Sequence, residues 1–182
     1  RDDELGEGVQ DLQFSRDLTG RHDEIFRKYT RTYFGRMPWK WFKAQSMQES
    51  KLQPHAKSAA GAMGLMQLMP ATFQEIRKEV GLPNAPYDAK SNIHAGIWYN
   101  MKCYNVWTER RNSGEILKLM FASYNAGPGS IIRAQKVVRS GGLCDGKHWD
   151  CIQRGLPQVT GNRSKETVEY VANVERYYKI LR

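Results

Sequence analysis

Apolar residues recur at every third or fourth position over most of this chain, the spacing of a helix with one buried face. A first stretch, from Asp11 to about Tyr33, offers Leu12, Ile25, Phe26, Tyr29 and Tyr33 for burial, and Gly20 is expected to break it. Pro38 suits a first helical position, and a helix is predicted from there to Glu49. The spacing then predicts a short helix over Gly64–Met69 and another from Pro70, with Phe73, Ile76 and Val80 as its stripe and Gly81 as its stop. After the loop Pro83–Tyr87, Asp88 or Ser91 caps a long helix carrying Ile93, Ile97, Met101 and Tyr104. Ser113 is the expected cap of the next helix, with Ile116, Met120 and Tyr124 on one face and Gly127 at its end. Ser130 opens a helix carrying Ile131, Ala134 and Val138, and Ser164 caps a last one with Val168, Val171, Val174 and Tyr178. The segment 141–163 is the least regular, with one turn expected over Trp149–Arg154. No alternating strand pattern and no internal repeat stands out, so the fold class is mainly α.

Length and charge narrow this picture. At 182 residues the chain has room for one sizeable core, and no apolar run reaches the ~20 residues that span a bilayer. It opens Arg-Asp-Asp-Glu, with no initiating Met and no secretory signal, which reads as a processed or trimmed form. Net charge is +9, but residues 1–11 hold one Arg against five acids; the remainder carries 27 basic and 14 acidic residues, or +13. The acidic opening reads as a frayed lead or linker, and residues 1–23 are set apart from a domain over 24–182. A basic domain is drawn to polyanions, yet Lys and Arg are scattered and no nucleic-acid motif is present, so nucleic acid is not the expected partner. Envelope polymers bearing carboxylates fit as well. Cys144 and Cys151 lie close together in a Gly-rich loop and are able to pair, leaving Cys103 alone on a helix; three unlinked thiols are the other reading. His22, His55, His94 and His148 show no ligand spacing with the cysteines or each other, so no metal and no cofactor is expected.

The stretch Glu49–Pro70 holds the candidate chemistry. Phe42, Gln45 or Ser46, and Glu49 share a helix face, and Pro54 is expected to prevent the helix from continuing past Glu49. A carboxylate in the last turn meets the negative end of the helix dipole, and with Trp and Phe nearby its pKa is expected to rise, as a general acid near neutrality requires. Gly61 and Gly64 then punctuate a run of Met63, Leu65, Met66, Leu68 and Met69 that holds one polar residue, Gln67. A lone amide in such a run either satisfies a core hydrogen bond or faces a ligand.

Four groups of residues, in order, carry a resemblance: Glu49-Ser50 with Pro54, Ala56, Ser58, Gly61-Ala62, Gly64-Leu65-Met66-Gln67 and Met69-Pro70; Asn92-Ile93, Gly96 and Tyr99; Ala122-Ser123-Tyr124-Asn125-Ala126-Gly127; and Glu166-Thr167 with Tyr170-Val171. Over roughly Glu24 to the C-terminus the chain resembles the family 1 soluble lytic transglycosylases. The resemblance implies a lysozyme-like helical domain of the goose-type with an extended substrate groove. It also implies cleavage of the bond between N-acetylmuramic acid and N-acetylglucosamine in peptidoglycan glycan strands, with formation of a 1,6-anhydro sugar.

By this resemblance Glu49 acts alone, first as acid and then as base, where most glycosidases use two carboxyl groups. Ser58 is implied to contact an N-acetyl group, with a turn cap as its structural alternative. Gln67 is implied to hydrogen-bond substrate and Met69 to wall the groove, while Met63 and Met66 read as core filling. Tyr124 is implied to approach the acid, Asn125 and Gly127 to shape the turn that presents it, and Glu166 and Tyr170 to line sugar subsites from one helix face. Asn92, Gly96 and Tyr99 read as packing. The five Trp residues are able to stack on sugars, but core and interface roles are the commoner use. Ser123 departs mildly from the family's usual Ala.

The Trp-rich opening and the closing Tyr-Val-Ala-Asn-Val-Glu-Arg-Tyr-Tyr are similar to catalytic domains of membrane-bound relatives and to phage lysis enzymes. The implied setting is a bacterial envelope, periplasmic or outer-membrane associated through a missing N-terminal segment, or a phage acting on a host wall. Two alternatives stand beside the transglycosylase reading. One is a hydrolysing muramidase on the same scaffold; the other is a non-catalytic cell-wall-binding module.

Overall fold

The structure, a computed structural model, describes residues 20–182; the acidic lead and the expected start of the first helix at Asp11 lie outside them. Helices account for the described chain as the apolar spacing predicts: α1 (Asp23–Phe34), α2 (Lys40–Ser50), α3 (Pro70–Val80), α4 (Ala89–Asn105), α5 (Ser113–Ala126), α6 (Pro128–Ser140), α7 (Trp149–Ile152), α8 (Leu156–Thr160) and α9 (Arg163–Leu181). Two compact units result, one comprising the described chain up to Trp98 with Val174–Arg182, the other Tyr99–Asn173.

In the first unit Phe26, Phe42, Met47, Leu65, Met66, Phe73, Ile93 and Ile97 are almost wholly excluded from solvent. Each such side chain contributes about 1.5–3 kcal/mol by leaving water. Lys43 is buried too, because its ammonium pairs with Asp23 at 2.6 Å and lies 5.8 Å from the Trp39 ring. Tyr29 stacks on His94 at 4.0 Å, and the Tyr33 hydroxyl meets His94 Nε2 at 2.6 Å. Burial, with Lys28 and Lys90 nearby, holds the His94 pKa below its ordinary value, so the ring is neutral where it packs. Trp41 stacks on Tyr178 at 3.7 Å, which accounts for one of the five tryptophans without a sugar.

The second unit is built on α5, whose second half is buried nearly all round: Leu117, Leu119, Met120, Phe121, Ala122, Ser123 and Tyr124 are all buried. Ile131, Ala134 and Val138 on α6, Trp149, Ile152 and Leu156 beyond it, and Trp107, Tyr170 and Val171 are among its other buried apolar residues.

Several expected boundaries move, each for a local reason. Asn112, not Ser113, caps α5, its side chain accepting from the Glu115 N–H at 2.9 Å. Of the two caps expected before α4, Asp88 is the one used and stays in place, accepting from both the backbone and hydroxyl of Ser91. Pro128 rather than Ser130 opens α6, occupying a first-turn position that needs no N–H. The expected helix over Gly64–Met69 is a tight turn instead: Met63 and Leu68 exchange both backbone bonds, at 2.9 and 3.1 Å, and Gln67 takes a left-handed φ of 48°. The segment 141–163 is more regular than its composition suggests, since α7, a 3-10 turn over Gln153–Gly155 and α8 follow one another within it.

Candidate active site

Glu49 lies half-buried in the last turn of α2, where the spacing placed it. What ends that helix is not Pro54. Lys51 and Leu52 adopt left-handed φ of 52° and 56°, and the Lys51 N–H closes on Met47 O at 3.0 Å. Left-handed backbone costs a residue with a side chain about 1–2 kcal/mol, so two in succession require something to hold them. Leu52 is 3 % exposed and supplies part of that hold. The hydroxyls of Ser46 and Ser50 supply the rest, both donating to the Leu65 carbonyl at 2.8 Å. The residue adjoining Glu49 is thereby tied to the turn that follows.

That turn is closed on itself and on α4. Gly64 N–H donates to Ala56 O at 2.8 Å, and the Gln67 amide donates to Ala56 O at 3.1 Å and Gly64 O at 2.9 Å. Gln67 therefore spends its amide hydrogens inside the loop, and Oε1 is the end left to receive a donor from elsewhere. Ser58 accepts from Ala62 N–H at 3.0 Å, which is the turn-capping role weighed for it; its own hydroxyl proton is not used in that bond. Met69 is 44 % exposed at the loop's end, whereas Met63 and Met66 are core.

Asn92, expected only to pack, does more. Fully buried on α4, it accepts from Met66 N–H at 2.7 Å and donates to Met63 O at 2.9 Å and Pro86 O at 2.8 Å. All of its side-chain hydrogen bonds go to backbone, so it serves as a template for the loop's shape. Gly64 has to be glycine here: its φ is 76°, and a Cβ would stand 2.4 Å from Asn92 Nδ2. Gly96 is packing as expected, since a Cβ there would meet Met66 at 2.6 Å.

The remaining sequence-predicted residues belong to the second unit. Tyr124 is 8 % exposed with its ring 5.2 Å from Tyr99. Asn125 follows it near the end of α5, which Gly127 terminates at a φ of 86° with its N–H on Ser123 O. Glu166 is exposed on α9 and Tyr170, one turn later, is buried. Asn125 Nδ2 approaches Glu166 Oε1 at 3.4 Å, so the structure brings these two predicted residues together. It adds Thr167, whose hydroxyl donates to Asn125 Oδ1 at 2.7 Å. Ser123, the departure from the family's usual residue, is fully buried and accepts from Trp107 Nε1 at 3.1 Å. An alanine there would leave a buried indole N–H without that partner.

Cys144 and Cys151 form a disulfide, and Cys103 is buried with its thiol pushed up to about 12 by desolvation, too protonated for a nucleophile. The signal for Asn92 and Thr167 was present in the quoted motifs. What the sequence lacked was any sign that their partners were a loop backbone and an amide.

Known proteins match this sequence and this fold. A model of the transglycosylase SLT domain matches residues 25–142. The membrane-bound lytic murein transglycosylase F of Ectopseudomonas mendocina is 31 % identical over 172 residues, covering 88 % of this chain and 34 % of its own length. The protein of the same name from Shewanella baltica is 30 % identical over 167 residues, covering 86 % of this chain and again 34 % of its own length. The chain thus spans about a third of the curated relatives it matches. Among solved structures, an inactive glutamate-to-glutamine mutant of the lytic transglycosylase Slt of Pseudomonas aeruginosa superposes with a TM-score of 0.70 at 26 % identity, over 91 % of this chain and 24 % of that one. The 70 kDa soluble lytic transglycosylase in complex with bulgecin A gives 0.68 at 27 % identity, over 91 % and 24 %.

Proposed function

The chain belongs to the transglycosylase SLT-domain family, and on that premise we propose that it cleaves peptidoglycan glycan strands without consuming water, with Glu49 as the sole acid and base. The observation that carries this reading is the tie between the end of α2 and the motif loop. Ser46 and Ser50 both hold Leu65 O at 2.8 Å, which restrains the helix turn bearing Glu49 against the loop bearing Ser58 and Gln67. A carboxyl group that must give a proton and take one back in the same turnover needs such a fixed seat.

In the proposed reaction the Glu49 carboxylic acid protonates the glycosidic oxygen between N-acetylmuramic acid and N-acetylglucosamine, and the C1–O bond breaks. The muramoyl N-acetyl oxygen shares the charge at C1. The Glu49 carboxylate then removes the C6 hydroxyl proton, and O6 closes on C1 to give the 1,6-anhydro ring. Glu49 is left protonated, as it began, and no water enters. The relative made inactive by a glutamate-to-glutamine change is in keeping with an essential glutamate.

Each unit carries its own share of the proposed substrate contacts. In the first they are Ser58, Gln67 through Oε1, and Met69 as an exposed apolar wall; in the second, Tyr124, Asn125, Glu166 and Tyr170. The proposed catalytic domain spans 24–182. Its setting is the bacterial cell envelope, in keeping with membrane-bound murein transglycosylases as relatives. Among the described residues no helix is long and apolar enough to cross a membrane.

The test is the mass of the muropeptides released from purified peptidoglycan. Products one water lighter than hydrolytic ones, and resistant to borohydride, are expected; reducible products at the hydrated mass would make the enzyme a muramidase. Glu49→Gln should lower cleavage about a thousandfold while glycan binding persists. Clearance of wall suspensions at the parental rate by that variant would remove Glu49 from its role.

A further inference from the structure

Thr167 follows Glu166 on α9 and is 2 % exposed. Its hydroxyl donates to Asn125 Oδ1 at 2.7 Å, and the other end of that amide, Nδ2, faces Glu166 Oε1 at 3.4 Å. These two contacts decide which way the amide points. A carboxylate accepts only, so the end of Asn125 beside Glu166 has to be the NH2 group. A hydroxyl can donate or accept, and Thr167 completes the arrangement by donating to the oxygen. Turned over, the amide would set its oxygen against a carboxylate.

Asn125, Ser130, Thr160, Arg163, Glu166 and Thr167 border a cavity of about 60 Å3. That is room for one or two water-sized groups and not for a sugar ring. One Asn125 hydrogen approaches Glu166, and the long 3.4 Å separation leaves the bond loose enough for an inserted hydroxyl to compete for it. A hydroxyl entering there accepts from the amide and donates to the carboxylate, provided the amide is held in the orientation that Thr167 sets.

We infer that Thr167 is a positioning residue: it orients the Asn125 amide so that Asn125 and Glu166 together receive a single hydroxyl group of the glycan strand. This rests on the reading of Asn125 and Glu166 as sugar-binding. Thr167 itself meets no substrate. Its contribution is the directional one of a single neutral hydrogen bond, so its loss is read in KM and not in the chemical step.

The experiment compares Thr167→Val, which keeps the shape and removes the hydroxyl, with Thr167→Ser, which keeps the hydroxyl, on uncrosslinked glycan strands, measuring kcat, KM and Tm. Thr167→Val should raise KM about fivefold, the equivalent of one neutral hydrogen bond, with kcat within about twofold, and Thr167→Ser should restore the parental KM. Thr167→Ala replaces the valine variant if that one does not fold. An unchanged KM in the hydroxyl-free variant, a serine variant as weak as it, or a fall in kcat that tracks Tm overturns the inference. Glu166→Gln is measured alongside. If it leaves KM unchanged, the sugar-binding reading of this pair has failed; if it raises KM while Thr167→Val does not, that reading stands and only the role of Thr167 has failed.

Discussion

Two loops of this molecule are held in shape by different means. The loop Ala56–Met69 has no covalent tie. Uncharged groups hold it: buried Asn92 on Met66 N–H and Met63 O, buried Ser46 and Ser50 on Leu65 O, and the part-buried Gln67 amide on Ala56 and Gly64. The loop between α6 and α7 is held by the Cys144–Cys151 disulfide, by charged contacts at the surface and by part-buried bonds such as that from Gln135 to Gly146 O. There Arg139 grips Glu109 with two bonds of 2.9 and 2.8 Å and also donates to Asp145 O, Arg111 donates to Lys147 O, and Glu115 receives the Trp149 N–H. Water competes for the exposed charged contacts of the second loop and is excluded from Asn92 in the first. A buried donor left without its acceptor costs the full penalty of its desolvation, whereas an exposed ion pair is replaced by hydration. The loop beside the proposed acid is therefore the one that tolerates least change.

The sharpest way to break this contrast is at Asn92. Asn92→Ala strands the Met66 N–H and takes the Asn92 donor from the Pro86 and Met63 carbonyls, the latter keeping the Leu68 N–H, and should cost about 3 kcal/mol in denaturant unfolding. A loss below 1 kcal/mol would mean that the buried bonds are not what shapes the loop. Removing the disulfide comes next. Opening so short a covalent loop, with Cys144→Ala and Cys151→Ala together, should cost about 2 kcal/mol and leave glycan cleavage near the parental rate. Cleavage lost in proportion to stability would show that the second loop also governs the chemistry.

The smallest effect is expected at Glu109. Its hydrogen bond to Arg139 is the first cause of a carboxyl pKa held below the ordinary value, with the charges of Arg139, Arg111 and Lys147 adding to it. A depressed carboxyl pKa contributes stability that is present above the unfolded pKa of about 4.5 and lost as pH falls through the folded value. Glu109→Gln should remove less than about 1 kcal/mol at neutral pH, because the side chain is 43 % exposed and screened. That loss should shrink with added salt and vanish in acid. A loss that is insensitive to both would place the pair among the buried contacts and erase the distinction between the loops.

The helical class, the apolar stripes of Phe73, Ile76, Ile131, Ala134 and Val138, and the place of Glu49 in a last helical turn were determined by sequence alone, because helix periodicity and stop signals act over a few residues. So was the family, through motifs that survive without knowledge of their contacts. Tertiary structure decided the rest. Gly64–Met69 has apolar residues enough for a helix, but a left-handed Gln67, Gly64 pressed against Asn92 and the Met63–Leu68 pairing turn it into a closed loop. Ser123 reads as a mild departure until Trp107 supplies its donor, and Thr167 as a motif letter until Asn125 does. Periodicity is a property of neighbouring residues and is written in the chain. A hydrogen-bond partner 15 to 42 residues away is a property of the fold, and only the packed helices reveal it.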